Sequence, residues 1–282
     1  MLRNLLKYEL KATARLFLPI YLVVTALAVV TGLLTALGPK VSLVKLRDAV
    51  WVCSGIFGVL FGVCCVVLPF VTIYLCMRRF YDNLFKREGY LMHTLPVTPA
   101  QLLLSKAIAG LLWMVASSVL VALLSSLLVA GGSTLQFLFS GFQFLWQDFS
   151  DGGMTVAMLF VALVSGLGMN LCFLLLLYAA LSVASLRPKY HRLIGVGMII
   201  AFCVLHVITL VLFLFGMSDP MFQFVVSDFF RGPGAPLIAT ETAAYWTILW
   251  TFFAAVMIYL AAFCVLYFVI ARCILKNHLN LE

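Results

Sequence analysis

The sequence predicts an all-α membrane protein: six transmembrane helices, an N-terminal amphipathic interfacial helix, and both termini on the cytoplasmic side. Three observations predict this fold class. Of 282 residues, 65% are hydrophobic and 10% are charged, whereas soluble domains carry about 25% charged residues. Apolar runs of at least the roughly 20 residues needed to cross a bilayer recur along the chain. Lys and Arg gather at alternate connections between these runs.

The first fifteen residues, MLRNLLKYELKATAR, come before the first apolar run. Basic residues recur at every fourth position beside a row of leucines, which makes an amphipathic pattern on a helix. Residues 1–15 are therefore predicted to form a helix in the inner headgroup layer, and the alternative is a plain solvated leader. The basic residues of this membrane-surface helix are Arg3, Lys7, Lys11 and Arg15.

The predicted transmembrane domain covers residues 16–271, and a cytoplasmic tail covers 272–282. The second apolar segment contains Gly58 and Gly62 in the G-x-x-x-G spacing, which is typical of close helix contacts, and Pro69, which predicts a kink. The six segments are 16–38, 49–77, 101–130, 154–186, 193–217 and 243–271.

Orientation follows from the basic residues. With the N-terminus inside, 14 of the 18 Lys and Arg residues lie on the cytoplasmic side. Lys40, Lys45 and Arg47 make the first outer loop the one discordant connection. Because the basic residues flank apolar runs, the net charge of +8 indicates that the chain interacts with anionic membrane lipids, and no nucleic-acid partner is expected.

Two outer connections are unusually apolar. Residues 131–153 carry many aromatic side chains between glycines, and residues 218–242 combine apolar stretches with the sequence RGPGAP. Both are predicted to be interfacial or re-entrant segments. The alternative is loops that pack on the outer surface.

The motifs of several function classes are missing from the sequence. It has neither a phosphate-binding G-x-x-x-x-G-K-[ST] loop nor H-E-x-x-H, so no catalytic residue, metal site or cofactor is expected in this chain. No charged residue is predicted well inside a span, which argues against an ion-coupled transporter and an intramembrane hydrolase. The cysteines are expected to be ordinary buried thiols. His206 is predicted to hydrogen-bond between helices, and a role in a pathway is the alternative.

Residues 78–100 interrupt the apolar pattern and are predicted to form a cytoplasmic coupling segment. Asp82 as N-cap and Gly89 as the C-terminal stop predict a short helix between them. Pro96 excludes helix at the residue before it. Thr98 and Gln101 form a capping box with proline at the first helical position, so the third span is predicted to begin at Thr98. The alternative is an ordinary solvated loop.

The stretch REGYLMHTLPVTPAQLLLSK resembles the signature that follows the second span of ABC-2 type transporter permeases. The resemblance is closest to the small permeases of Gram-positive bacteria. Tyr90 and Pro96 depart from the usual pattern. The residues that match it in order are Glu88, Gly89, Leu91, Leu95, Thr98, Pro99, Ser105 and Lys106.

This resemblance implies a separate ABC ATPase subunit that binds ATP and magnesium and docks near residues 82–90 and 186–192. It also implies a second permease copy, identical or different, in a bacterial cytoplasmic membrane. The residues expected to contact the ATPase are Phe80, Tyr81, Leu84, Phe85, Lys86, Arg87, Glu88, Gly89, Tyr90, Arg187, Lys189 and Tyr190.

The expected function is that of the permease subunit of an ATP-driven exporter. An uncharged membrane interior suits an amphiphilic or hydrophobic substrate, such as an antimicrobial peptide, a lipid or a drug. The alternatives are an ATPase-independent channel or carrier and a non-transporting membrane sensor or immunity subunit. Glu9, Glu88 and the aromatic outer segments are where functional residues are expected.

Overall fold

The computed structural model describes residues 2–85, 98–130, 139–144, 146–147, 154–186, 191–216 and 239–277, and the regular structure in these residues is helical. Six long helices account for most of them. A 3₁₀ turn, Gly38–Lys40, follows the first helix. The helices are α1 (Leu2–Leu37), α2 (Val44–Phe85), α3 (Pro99–Ala130), α4 (Met154–Ala184), α5 (His191–Gly216) and α6 (Ala239–Asn277).

Each of the six helices contains a stretch that is long and apolar enough to cross a membrane. The predicted number of candidate spans is therefore confirmed. The stretches are Leu5–Lys40, Val44–Phe85, Pro99–Leu128, Val156–Ala184, Leu193–Phe213 and Trp250–Lys276.

No break in α1 marks the predicted boundary between a surface helix and the first span, because α1 continues through residue 15. The residues around this position, ATARLF, include neither glycine nor proline, so nothing ends the helix there. Pro19 lies inside α1. The four basic residues assigned to the surface helix are all exposed: Arg3, Lys7, Lys11 and Arg15.

Two further boundaries differ from those predicted. The tail does not separate from the last span at residue 271, because α6 continues to Asn277 through the helix-forming sequence ARCILK. It also begins at Ala239, inside the predicted outer segment 218–242, whose other residues lie outside the described part. In the outer segment 131–153, residues 139–144 and 146–147 are helical with exposed side chains, and the remainder lies outside the described residues.

The chain divides into two compact units, of which the first contains α1, α2 and α3. In this unit α1 packs closely against α3. The three helices meet in a buried apolar cluster formed by Val24 and Ala28 of α1, Phe61 of α2 and Leu124 of α3.

Hydrogen bonds and ring stacking join α1 to α3 nearer the start of α1. Phe17 stacks on Trp113, with 4.5 Å between ring centroids. The Trp113 indole N–H donates to Thr13 Oγ1 over 2.7 Å. Since Thr13 and Phe17 are both buried and lie one helical turn apart, they place one face of α1 against α3.

Ser117 joins all three helices of the first unit. Its Oγ lies 2.7 Å from Tyr21 Oη of α1 and 2.8 Å from Thr72 Oγ1 of α2. The Ser117 hydroxyl also lies 2.9 Å from the Trp113 carbonyl and donates to it. Either oxygen can be the donor in the contacts with Tyr21 and Thr72, and both place Ser117 within hydrogen-bond distance of a neighbouring helix.

The predicted close contact at Gly58 and Gly62 does not form within the described residues. A Cβ atom added at Gly58 would lie 3.8 Å from Thr31, and one added at Gly62 would have no atom within 4 Å. A close approach does occur at Gly38, where an added Cβ atom would lie 3.0 Å from the Trp51 ring.

The second unit contains α5, α6 and α4 from Val161 onward. Residues 174–180 of α4 are all buried, with exposed fractions of 4% or less, so this stretch has no open face. Gly168 allows α4 to approach α6 closely, because a Cβ atom there would lie 3.4 Å from Leu260.

Replacing Ser117 by alanine is expected to destabilise the protein by about 1 kcal/mol, because Tyr21 and Thr72 each lose a hydrogen-bond partner in an apolar setting. Ser118→Ala is the matched control, since Ser118 donates to the Met114 carbonyl of its own helix. Thermal unfolding in detergent measures the melting temperature of both variants. Equal shifts in the two variants would contradict the role assigned to Ser117.

Gly38→Ala is expected to lower the melting temperature, because the added methyl group must displace the Trp51 ring at a cost of about 1 kcal/mol. Gly62→Ala adds the same methyl group in open space, where alanine is a better helix former than glycine. It should leave the melting temperature unchanged or raise it. A fall of the same size in both variants would exclude the contact at Gly38 as the cause.

Candidate functional site

Three charged side chains from α1, α2 and α3 meet at one end of the first unit. The Glu9 carboxylate accepts a hydrogen bond from Lys106 Nζ over 3.1 Å. Arg79 Nε lies 3.7 Å from the same carboxylate oxygen. The exposed fractions of the side chains are 3% for Lys106, 12% for Glu9 and 21% for Arg79. We call these three residues the ion cluster.

The periodicity of each helix directs these side chains inward. Glu9, Thr13 and Phe17 follow one another at intervals of four residues on the face that α1 presents to α3. Lys106 lies on the face of α3 that also buries Leu103 and Ala107. The ion cluster therefore continues the row of contacts made by Trp113 and Ser117 further along α3.

Within the ion cluster, one carboxylate faces two cations. Burial of the Lys106 ammonium is costly without hydrogen bonds and a counter-ion, and Glu9 supplies one of each. Arg79 Nε lies beyond the 2.7–3.2 Å range of N–H···O hydrogen bonds from Glu9, and it makes no hydrogen bond to any described residue. The formal charge of the ion cluster is one positive unit.

Lys106 lies near the start of a candidate span, in the third turn of α3, with 4% of the residue exposed. The sequence analysis counted it among the basic residues of the cytoplasmic side. The sequence signal was available, because a lysine within the apolar run LLLSKAIAG requires an acidic partner, and Glu9 is the one acidic residue of α1.

The structure also corrects the predicted short helix. Asp82 is not an N-cap, because α2 continues to Phe85 and no glycine or proline lies between Pro69 and Phe85 to end it. Instead, the Asp82 carboxylate forms an ion pair with Arg78 one turn earlier, at 3.4 Å. An (i, i+4) pair of this kind supports helix continuation.

The residues predicted to contact an ATPase fall into three groups. Phe80, Leu84 and Phe85 are each at most 4% exposed. Tyr81 is half-buried. The others lie outside the described residues: Lys86, Arg87, Glu88, Gly89, Tyr90, Arg187, Lys189 and Tyr190.

The capping box predicted at the start of α3 is confirmed. Gln101 N–H donates to Thr98 Oγ1 over 3.3 Å, and Thr98 N–H donates to Gln101 Oε1 over 3.4 Å. Pro99 is the first residue of the helix. The helix start is therefore fixed directly after the segment 86–97.

A second group of polar atoms lies between α5 and α6 in the second unit. The His206 ring packs edge-on against Phe263, with 5.0 Å between centroids, and also contacts Tyr259 and Tyr267. Tyr259 Oη lies 3.0 Å from Thr209 Oγ1. Neither His206 Nδ1 nor Tyr267 Oη hydrogen-bonds to a described residue, so the hydrogen bond predicted for His206 is not made through Nδ1 there.

Within the described part of the chain, no three His, Cys, Asp or Glu side chains are grouped so as to hold a metal ion. Cys76 and Cys172 are buried, Cys53 and Cys273 are exposed, and the other four cysteines are half-buried. The ion cluster, like Ser117, joins three helices at one point.

Comparison with known proteins adds no relative: no family model matches the chain, and no curated protein or solved structure is similar to it.

Neutralising either member of the Glu9–Lys106 pair alone is expected to be strongly destabilising. Glu9→Gln or Lys106→Met should lower the free energy of unfolding by about 3 kcal/mol, because each removes one partner of a buried ion pair. The double variant should lose less than the sum of the two. Denaturation in mixed detergent micelles measures the free energy of unfolding of all three variants.

Arg78→Gln is the control for this comparison of single and double variants. The Arg78 side chain is 63% exposed, so losing its ion pair should lower the free energy of unfolding by at most about 1 kcal/mol. Strict additivity of the two single changes would show that Glu9 and Lys106 do not interact energetically.

Proposed function

We propose that this chain is the membrane-spanning permease subunit of an ATP-driven exporter of the ABC-2 type. A separate ABC ATPase subunit would bind ATP and magnesium, and a second permease copy would complete the unit. The proposal starts from the resemblance of residues 87–106 to the ABC-2 signature. The observation that carries it is mechanical: the segment 86–97 connects two helices that the ion cluster ties to a third.

Both attachments of this segment are stiff. On one side α2 is continuous from Val44 to Phe85, with Phe80 and Leu84 buried at its end. On the other side the capping box fixes the first turn of α3. A displacement of residues 86–97 would therefore move both helices as rigid bodies instead of being absorbed by fraying ends.

The ion cluster extends this connection to α1. Glu9 bonds to Lys106 of α3 and pairs with Arg79 of α2, so the three helices move together at this end. An ATPase that closes on ATP binding would shift the permease between two arrangements, provided that it contacts the two arrangements differently. The segment 86–97 would provide those contacts.

Burial refines the proposed docking surface. Phe80, Leu84 and Phe85 would support it from inside the chain instead of contacting the ATPase. The contacts would come from Tyr81, from residues 86–90 and from residues 187, 189 and 190. Lys86, Arg87 and Glu88 carry the charges of residues 86–90 and are the residues to reverse, whereas Arg187 and Lys189 carry those of the second group.

The proposed substrate is amphiphilic or hydrophobic, and the proposed location is a bacterial cytoplasmic membrane with both termini inside. The predominance of Lys and Arg on one side supports the orientation. The candidate spans carry exposed apolar side chains along their length, which favours a substrate that partitions into lipid over a hydrated ion.

Copurification tests the proposal. The tagged chain, expressed together with its flanking genes and extracted in mild detergent, should bring down a protein with a phosphate-binding loop, identified by mass spectrometry, and vanadate-sensitive ATP hydrolysis. In the triple variant Lys86→Glu, Arg87→Glu and Glu88→Lys, the amount of copurified protein and the rate of ATP hydrolysis should both fall at least about tenfold, because reversed charges repel the partner surface.

A matched control reverses Lys45→Glu, Arg47→Glu and Asp48→Lys. These residues are exposed, and the change in net charge is the same. This variant should retain the ATPase. If wild type brings down no ATP-binding protein, the permease proposal is wrong and the ATPase-independent channel replaces it. If an ATPase binds but reconstituted vesicles move no hydrophobic peptide or dye, the sensor alternative replaces it.

A further inference from the structure

Two cysteine side chains meet inside the second unit, one from α4 and one from α6. The side chains of Cys172 and Cys264 hydrogen-bond to each other. Both are free thiols, so no covalent bond joins the two sulfur atoms. Cys172 is 1% exposed, whereas Cys264 is half-buried. We call these two residues the thiol pair, which has one covered and one more accessible sulfur.

The backbones of α4 and α6 approach each other closely enough here for a disulfide. One helical turn before the thiol pair, a Cβ atom added at Gly168 would lie 4.0 Å from Leu260 Cβ, and disulfides join Cβ atoms that are roughly 3.5–4.5 Å apart. Cys172 and Cys264 follow four residues later on the same two helix faces. The thiol pair is therefore held at a spacing that a bond between the sulfur atoms can span.

The thiol pair lies deep in two candidate spans. Cys172 and Cys264 each lie 12 residues before the end of their apolar stretches, Val156–Ala184 and Trp250–Lys276, which is about 18 Å along either helix. Half of a bilayer's hydrocarbon core is about 15 Å thick. A reagent that reaches the thiol pair must therefore be soluble in hydrocarbon, which excludes charged oxidants.

Access to the thiol pair is through Cys264. The two residues directly after it, Val265 and Leu266, are exposed apolar side chains, so lipid reaches this part of α6. Since Cys172 is covered by its neighbours, an oxidant that arrives from the lipid meets Cys264 first. The Cys172 thiol is then in place to react with the product, because the two side chains are already in contact.

We propose that the thiol pair is an oxidation site for organic hydroperoxides dissolved in the membrane, with Cys264 as the sulfur that reacts first and Cys172 as the sulfur that resolves it. The Cys264 sulfur attacks the terminal oxygen of the hydroperoxide, and the O–O bond breaks. The products are a sulfenic acid on Cys264 and an alcohol, which takes up the thiol proton. During this step the Cys172 S–H donates to the Cys264 thiolate, which is the reacting nucleophile.

The second step closes the disulfide between α4 and α6. The Cys172 sulfur attacks the sulfenic sulfur of Cys264, the S–O bond breaks, and water leaves with the second thiol proton. In total, two thiols lose two electrons, and one hydroperoxide is reduced to alcohol and water. This inference does not depend on the proposed transport function.

Oxidation of the full chain in phosphatidylcholine vesicles tests the inference. After treatment with cumene hydroperoxide, which partitions into lipid, free thiols are blocked in denaturant and the peptides are analysed by mass spectrometry. Wild type should yield a linked Cys172–Cys264 peptide that dithiothreitol separates. Hydrogen peroxide at the same concentration prefers water, so it should yield at least about fivefold less of this peptide.

Two variants test the order of the steps, and a third is the matched control. Cys172→Ala removes the resolving thiol, so the sulfenic acid should persist on Cys264 and be trapped by dimedone. Cys264→Ala should leave Cys172 without a dimedone adduct. Cys203→Ala removes another half-buried thiol of the same unit and should retain the linked peptide.

Three results would overturn the proposal. The first is the absence of the linked peptide from oxidised wild type, or its formation no more often than links between other cysteines. The second is an equal dimedone adduct on Cys172 in the Cys264→Ala variant, which would reverse the order of the two sulfurs. The third is an equal yield with cumene hydroperoxide and hydrogen peroxide, which would exclude an oxidant that arrives through the lipid.

Discussion

The ion pair between Glu9 and Lys106 is the constraint on which the first unit depends. The Lys106 side chain is 3% exposed, and its buried ammonium bonds to Glu9, which holds α1 at that height and on that face of α3. Thr13, Phe17 and Tyr21 follow Glu9 at intervals of four residues and then meet Trp113 and Ser117. One charge requirement thus sets both the rotation and the height of α1 against α3.

Polar contacts also hold α2 against α1 and α3. Thr72 bonds to Ser117, and Arg79 lies two turns further along α2, beside Glu9, so α2 is held at two levels. Polar contacts of this kind have defined partners and directions, unlike apolar packing between helices, which tolerates sliding. The end of α2 and the capped start of α3 therefore behave as parts of one body, which a docking surface for a motor subunit requires.

Hydropathy and capping rules predicted the six helices and the first turn of α3, because both are local properties of the sequence. They failed where no local signal exists. Residue 15 has no helix breaker directly beside it, so α1 continues through the predicted boundary. An aspartate can serve either as an N-cap or as an ion-pair partner, and Asp82 pairs with Arg78. The pairing of Glu9 with Lys106 spans 97 positions, and the burial of Leu84 depends on tertiary packing, so neither was readable from local pattern.

The two units hold their helices together by different physics. In the first unit, polar side chains on α1, α2 and α3 bond to one another at defined distances. Between α5 and α6 of the second unit, rings do most of the joining: Tyr259, Phe263 and Tyr267 pack along one another and around His206. Hydrogen bonds join this interface at one level, where Tyr259 Oη lies 3.0 Å from Thr209 Oγ1 and 3.3 Å from the His206 carbonyl. The interface between α5 and α6 therefore depends mainly on ring packing, and the first unit depends more on hydrogen bonds and ion pairs between its helices.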